Sequence, residues 1–199
     1  MKTYKIKNVK GKPDWQEIPA LQVSEIMWLP DAGIRMTQQI CYDETALYVR
    51  QRAWEREIRD QVTDPLGSIC QDSCMEFFFS PNSDERYFNL ECNPSGNIYF
   101  GFGAERNSRV RLILKDAKAL LELKTERLSD GWEVQYRLPI RFIRMFYPNF
   151  VLKSGQAFTA NCYKCGDKTA TPHYLSWNPM TSATPDFHCP VDFGKMILE

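Results

Sequence analysis

Residues 131–138 read GWEVQYRL, and this stretch decides the fold class. Trp132, Val134 and Tyr136 alternate with charged or amide side chains, and the turn at residues 129–131 comes just before them. An alternation with a period of two residues is typical of a β-strand that buries one face. The stretch therefore predicts a half-buried strand, and similar segments recur on both sides of it.

The rest of the chain consists of short apolar segments separated by turns. Strands are predicted at residues 33–42, 46–54, 74–80, 86–93, 98–102, 157–163 and 193–198. Two more are predicted within residues 108–128, where a helix over residues 117–123 is the alternative because helix formers are frequent there. Residues 139–146 predict a helical turn, and residues 13–30 and 172–188 predict irregular structure. Many short strands without a βαβ rhythm predict an all-β fold. We expect a single domain over residues 1–199, a mostly antiparallel β-sandwich of the immunoglobulin-like or jelly-roll kind.

Composition limits the classes of function. The 199 residues carry 25 Lys and Arg against 25 Asp and Glu, so the formal net charge is zero. A nucleic-acid partner is not expected, because neutralising phosphates requires clustered surplus cations. Hydrophobic residues at 43% argue against a disordered chain. The 12 Phe, 9 Tyr and 5 Trp fit an all-β core, a surface that stacks on a ligand, or both.

The sequence also bears on location. Residues 1–12 are polar and rich in lysine, with no apolar run behind them, so they do not read as a secretory signal. No stretch approaches the roughly 20 apolar residues of a membrane helix, so no membrane partner is expected. Seven cysteines are an odd number and suggest reduced thiols. The sequence as it stands predicts a cytoplasmic protein, or an extracellular one if a signal was removed.

A CxxC motif, Cys162-Tyr163-Lys164-Cys165, offers a possible metal site. A zinc set can be drawn from Cys162, Cys165, His173 and Cys189, and it would make the chain a metal or protein-interaction module. The spacing is poor for a zinc finger, which needs a second ligand pair at a defined separation. Free thiols are the favoured interpretation.

Acidic and amide side chains form a second group of candidates. Asp72 and Glu76 lie four residues apart, roughly 13 Å along a strand, too far for the carboxyl pair of a glycosidase. A pairing of Glu76 with Glu91 across strands stays open, and with it a glycoside hydrolase-like enzyme. Asn89, Glu91 and Asn93 share one strand face and suit the recognition of hydroxyl groups. The alternative for all of them is a solvated sheet face.

The proline-rich and aromatic segment at residues 172–188 contains Trp177 beside Pro179. A fixed indole above a β-sandwich makes a platform for stacking a sugar ring. The alternative is that Trp177 closes the end of the core, because tryptophan is highly buried on average.

The order of motifs resembles a family 9 carbohydrate-binding module, in the family 9-like branch found as stand-alone proteins. The resemblance extends over roughly residues 14–198. The matching segments are Asp14-Trp15 with Ile18-Pro19, residues 42–49, residues 72–78, residues 87–91 with Asn93 and Gly96, residues 131–134, Trp177 and residues 193–198.

This resemblance implies a β-sandwich that binds sugar ends between two tryptophans, with ligands related to xylan and cellulose and with structural calcium. By position it implies that Trp177 stacks on the sugar. It also implies polar or contact roles for Glu76, Asn89, Asn161 and Tyr174. The second tryptophan has no counterpart, because Cys70 occupies about its place. Trp54 or a tyrosine would have to substitute for it.

The sequence thus predicts non-catalytic binding of a mono- or oligosaccharide by aromatic stacking and polar contacts. Glu76, Asn89 and Asn161 would recognise its hydroxyl groups beside Trp177. Hydrogen bonds of about 0.5–1.5 kcal/mol each predict micromolar or weaker affinity.

Overall fold

The computed structural model describes residues 1–199 and contains 14 β-strands and two short α-helices. The strands are β1 (Thr3–Asn8), β2 (Leu21–Val23), β3 (Glu25–Ile26), β4 (Arg35–Tyr42), β5 (Ala46–Trp54), β6 (Cys74–Ser80), β7 (Tyr87–Cys92), β8 (Ile98–Gly103), β9 (Arg109–Arg111), β10 (Lys124–Leu128), β11 (Gly131–Pro139), β12 (Ala157–Cys165), β13 (Tyr174–Ser176) and β14 (Gly194–Leu198). The helices are α1 (Ala117–Leu121) and α2 (Ile140–Ile143). Neither is long or apolar enough to cross a membrane.

The strands form two sheets that meet at β1. One sheet runs β10-β11-β5-β4-β1, and the other runs β1-β14-β12-β6-β7-β8-β9. β1 is parallel to both β4 and β14, whereas the other neighbours on this path are antiparallel. β2 adds to β4, and β13 joins β12 to β3. The predicted fold class, a mostly antiparallel β-sandwich, is confirmed.

The main core lies between the two sheets. Trp132 and Val134 enter it from β11, and Phe77, Phe79 and Phe88 enter it from the facing sheet, each no more than 1% exposed. The alternation along β11 therefore reports which face of the strand is buried, as the sequence predicted.

A second, smaller cluster covers the outer face of β6, β7 and β12. Phe78, Tyr87 and Tyr163 point outward from these strands and pack against Phe187 and Phe193 from the C-terminal segment. All seven residues of β6 are consequently buried. The face that carries Glu76 is thus not an open, solvated sheet face, and the loop above it encloses a cavity.

Most predicted strands are confirmed to within a few residues. Strands β1, β2 and β3 lie in segments for which the sequence predicts no strand, and the other differences fall in short elements. Both strands predicted within residues 108–128 are present, as β9 and β10, and residues 117–121 between them form the helix α1, because Asp116 accepts a hydrogen bond from the Ala119 amide (2.9 Å) and caps it. Residues 174–176 form β13 rather than irregular structure. They pair with β12, so that pairing overrides the weak local preference.

Candidate functional site

A cavity of about 200 Å³ opens on the outer face of the second sheet, beneath the C-terminal segment. Strands β6, β7 and β12 supply its floor, and the segments before β4 and after β13 supply its rim. Its lining residues are Trp28, Cys70, Glu76, Glu91, Arg106, Cys165, Asp167, Tyr174, Pro185, Asp186, Phe187 and His188. The cavity thus combines an aromatic rim with an acidic floor.

Three aromatic side chains form the rim. The Trp28 ring lies 5.5 Å from that of Tyr174, edge to face, and 5.3 Å from that of Phe187. Trp28 Nε1 donates to the Ser182 carbonyl (2.8 Å), and Tyr163 stacks under Phe187 at 4.1 Å. The indole is therefore held from two sides, although its backbone has a positive φ of 56°.

Two glutamates form the floor. Glu76 on β6 and Glu91 on β7 are direct cross-strand partners, 3% and 8% exposed. Burial, together with the charge of Glu91, raises the pKa of Glu76 well above its usual range. Burial also raises the pKa of Glu91, to about 7, against the lowering effect of its hydrogen bond from Asn89. The floor therefore holds two carboxyl groups that retain their protons to a higher pH than exposed carboxyl groups do.

A polar wall stands behind Glu91. Asn89 Nδ2 donates to Glu91 Oε1 (2.9 Å), and the Arg109 guanidinium donates to Asn89 Oδ1 (2.7 Å). The same guanidinium lies 4.4 Å from the Tyr87 ring centre, and the Tyr87 hydroxyl lies 2.8 Å from His188 Nδ1. Burial and Arg109 lower the pKa of His188 to about 3, so its imidazole is neutral at pH 7. This chain of contacts fixes the orientation of Glu91.

Thiols lie beside the other glutamate. The Cys165 thiol is 3.0 Å from Glu76 Oε1, and the Cys74 thiol is 3.9 Å from the same oxygen. Cys70, which occupies about the place of the missing second tryptophan, lines the same cavity. The Glu76 carboxyl group accepts hydrogen bonds only from these two thiols, which are weak donors, so a hydroxyl group of a bound molecule would be a stronger donor to it.

Two of the five predicted ligand residues, Glu76 and Tyr174, line the cavity. Asn89 is fully buried one layer behind it and acts on Glu91. Asn161 is fully buried elsewhere, where its side-chain oxygen accepts from the amides of Cys162 and Asn178 (both 2.9 Å). Asn161 therefore stabilises a loop and does not contact a ligand in the cavity.

Trp177 requires a correction. Its indole is 4% exposed, belongs to the main core, and sits so close over Gly194 that an added Cβ there would lie 2.5 Å from the ring. β13 ends at Ser176, but the Trp177 amide still donates to the Cys162 carbonyl (2.9 Å), so the alternation of faces extends to Trp177 and a spacing of three places it on the face opposite Tyr174. The chain therefore points Tyr174 into the cavity and Trp177 into the core.

The same geometry separates the cysteines of the CxxC motif. Cys162 and Cys165 are three residues apart on β12, so Cys162 faces the main core and Cys165 faces the cavity. His173 Nε2 is 2.8 Å from the Lys164 ammonium instead, and Cys189 lies apart on the C-terminal segment. The zinc set predicted from the sequence is therefore not assembled. All seven cysteines are free thiols.

A larger cavity, of about 710 Å³, lies at the ends of β4 and β5. Its lining is mostly polar, and its one tryptophan, Trp54, already has the guanidinium groups of Arg35 and Arg52 at 5.5 and 4.7 Å from its ring centre. An indole with both cations against it is a poor platform for a sugar. Trp54 therefore does not substitute for the missing tryptophan.

The side chains do not fit a calcium site. Calcium takes six to eight oxygen ligands. The one group of three or more His, Cys, Asp or Glu ligand atoms in close proximity contains two thiols. The buried carboxylate of Asp72 is occupied by the amides of Gln61 and Val62 and by Asn93 Nδ2, at 2.8–3.0 Å. The calcium implied by the resemblance stays a prediction, and no ligand residues are assigned to it.

Sequence reasoning missed Trp28, Phe187 and His188 as parts of the site. Phe187 and His188 stand in a segment already noted for its aromatic and proline content. Trp28 precedes Leu29-Pro30 in a segment predicted to be irregular. No local pattern marks it, because its role depends on the contact with Ser182 far along the chain.

The sequence matches the profile of carbohydrate-binding family 9 over residues 5–198. A Bacteroides uniformis protein provisionally classed as carbohydrate-binding has a similar structure, with 26% identity, a TM-score of 0.85 and coverage of 100% of this chain and 99% of that chain. A family 9 module from Caldicellulosiruptor kristjanssonii in complex with cellotriose matches at 13% identity and TM-score 0.71, covering 100% and 94%. The same organism's module in complex with glucose matches at 14% and 0.69, covering 100% and 96%. At these two identities the likeness shows the fold alone. No curated protein gives a significant match.

Proposed function

The chain belongs to carbohydrate-binding family 9, and we propose that it binds a single sugar ring, free or at the end of a chain, in the cavity between Trp28 and Glu76. Drug-sized ligands occupy cavities of about 300–1,000 Å³, so a cavity of about 200 Å³ suits something smaller, such as one ring. The family neighbours with glucose and cellotriose support sugars of the cellulose kind, and a xylan-type chain end is of similar size.

Contact area would come from the aromatic rim. Trp28 and Tyr174 present rings at an angle of 74°, which forms a corner rather than two parallel walls. A pyranose packs its C–H groups against such faces, and each ring also hides it from water. Tyr174 would thus be the second stacking residue. The sequence left this role to Trp54 or a tyrosine.

Orientation would come from the acidic floor, and the state of Glu76 is the observation that carries the proposal. A buried carboxyl group whose only donors are two thiols, which are weak donors, is poorly satisfied in the absence of a ligand. Sugar hydroxyls are the donors that such an oxygen lacks. Glu91, held by Asn89, would accept a hydrogen bond from a second hydroxyl group. The two carboxyl groups would then contact neighbouring hydroxyl groups of one ring.

The same two carboxyl groups raise the question of glycoside hydrolysis, since they are close. Both extend from one face of one sheet, and so they approach a ligand from the same side. A glycosidase needs its pair to flank the scissile bond. The arrangement therefore supports binding without cleavage.

Isothermal titration tests the proposal, with glucose, xylose, cellotriose and xylotriose added to the wild type in EDTA. We expect a dissociation constant in the micromolar to millimolar range. Trp28→Ala should weaken binding about tenfold or more, equivalent to about 1.4 kcal/mol, and Glu76→Gln should weaken it as well. Trp54→Ala is the matched control, and it should leave the affinity unchanged.

Absence of heat with every sugar at millimolar concentration would refute the proposal. An equal loss in Trp54→Ala and Trp28→Ala would move the site to the larger cavity. Reducing ends measured after long incubation with the oligosaccharides distinguish a binder, which releases none, from an enzyme.

A further inference from the structure

We propose that Cys74, Cys165 and Glu76 form a binding site for a thiophilic divalent cation, with Zn²⁺ as the type ion, at the floor of the cavity. The proposal is independent of sugar binding, although the two sites share Glu76. It also differs from the zinc set suggested by the sequence, from which it retains only Cys165.

The spacing of the ligand atoms fits such an ion. Both thiol sulfurs and one Glu76 oxygen lie within 4.8 Å of one another, with Glu76 Oε1 3.0 Å from Cys165 Sγ and 3.9 Å from Cys74 Sγ. In a tetrahedral site with Zn–S about 2.3 Å and Zn–O about 2.0 Å, ligand atoms lie roughly 3.5–3.8 Å apart. Shifts of several tenths of an ångström, within the reach of side-chain rotation, would place all three around one ion.

The sheet holds these ligands in place. Cys74 and Cys165 are direct cross-strand partners on β6 and β12, and Glu76 lies two residues along β6 on the same face. Strand positions are more rigid than loop positions, and a preorganised set loses less entropy when it binds an ion. The ligands are also 0–3% exposed, so water competes weakly for the ion.

A cation would take the place of protons in this buried cluster. An incoming Zn²⁺ would displace the two thiol protons and the carboxyl proton to water and bond to two thiolates and one carboxylate, so the ion with its three ligands carries one net negative charge. Metal binding that releases protons is strengthened as the pH rises.

The cavity supplies the route and the fourth position. Glu76 and Cys165 line it, so an ion can reach both ligands from solvent. Three protein ligands leave one tetrahedral position open, as in zinc sites that bind water or a further ligand. That position would face the volume in which the sugar is proposed to bind.

Metal titration tests the site on the whole chain, stripped with EDTA, desalted and kept reduced with a phosphine. Cd²⁺ or Co²⁺ is added without sugar, and the thiolate-to-metal absorption is recorded, followed by competition with Zn²⁺. We expect one equivalent with two thiolates bound, and at least 100-fold weaker binding in Cys165→Ser and Cys74→Ser. Cys189→Ser, which removes a half-buried thiol outside the cluster, is the control and should bind as the wild type does.

Wild-type protein that gives no thiolate absorption with either metal would overturn the proposal without any variant. Binding retained in Cys165→Ser, or lost equally in Cys189→Ser, would also overturn it. Circular dichroism establishes that the variants fold, and Glu76→Gln serves if a cysteine variant does not. The sugar titration above is carried out in EDTA, so failure of one proposal leaves the other measurable.

Discussion

Glu76 and Glu91 lie directly opposite each other on adjacent strands, each more than nine-tenths buried. Like charges in direct cross-strand positions destabilise a sheet. Raised pKa values relieve part of this repulsion by keeping protons on the pair. Such an arrangement opposes stability and is expected where a ligand is recognised.

Replacing one carboxyl group should therefore separate stability from binding. Glu91→Gln keeps an oxygen that can accept from Asn89 and removes the like charge. We expect the free energy of unfolding to rise by about 0.5–2 kcal/mol, while the sugar affinity falls. Urea unfolding and calorimetric titration measure the two effects. A variant that is both less stable and unchanged in affinity would contradict the assignment of Glu91 to the site.

Trp28 and Trp177 should give opposite results. Trp177→Ala removes a core side chain that is 4% exposed, and we expect a loss of about 3–5 kcal/mol in unfolding free energy. Its sugar affinity, measured where the variant is folded, should match the wild type. Trp28→Ala should lose affinity at a much smaller cost in stability. If Trp177→Ala lost sugar affinity and Trp28→Ala did not, Trp177 would be the stacking platform instead.

These tryptophans also show how far the sequence predicts this protein. Period-2 patterns predict strands such as β5 and β11, because alternation is a local property, whereas β6 is indicated by its run of apolar residues. The sequence around each tryptophan does not show which of the two lies over the cavity. Trp177 stands in the segment that looked suited to a ligand, yet its strand parity turns it inward. Trp28 lies in an irregular segment, and contacts with residues far along the chain (Ser182, Tyr174 and Phe187) bring it over the cavity.

The glutamates were partly predictable for the same reason. Even spacing places Asn89 and Glu91 on one face, and a cross-strand pairing of Glu76 with Glu91 is one of the alternatives that the sequence leaves open. The sequence does not show that other residues cover that face. The second cluster, with Phe187 from the C-terminal segment, buries these carboxyl groups and so determines their protonation. Such long-range burial has no signature in a strand pattern.

A buried charge network provides a prediction about stability alone. The Lys164 ammonium, fully buried, lies 3.2 Å from Glu55 Oε1, which also accepts from Trp132 Nε1 (2.6 Å). Lys164→Met would leave Glu55 without a counter-charge, and we expect a loss of about 3–5 kcal/mol. The double variant Lys164→Met with Glu55→Gln should recover part of it. Urea unfolding of both variants provides the check, and a loss below about 1 kcal/mol in the single variant would count against the network.

The last prediction concerns acid. His188 faces Tyr87, Arg109, Arg106 and Asp186, and burial with the two arginines lowers its pKa from 6.5 to about 3. The folded state therefore binds fewer protons than the unfolded state between these two values. Its contribution to stability is present above about pH 6.5 and is lost as the pH falls towards 3.

His188→Asn removes this titration and keeps a polar group beside Tyr87. The difference in unfolding free energy between wild type and variant should shift against the wild type by about 2 kcal/mol from pH 7 to pH 5. Taking the difference at each pH cancels the glutamates, whose raised pKa values act in the opposite direction. Urea unfolding at several pH values gives this difference. A difference that stays constant over the range would mean that His188 titrates normally, and that the C-terminal segment does not bury it over the cavity.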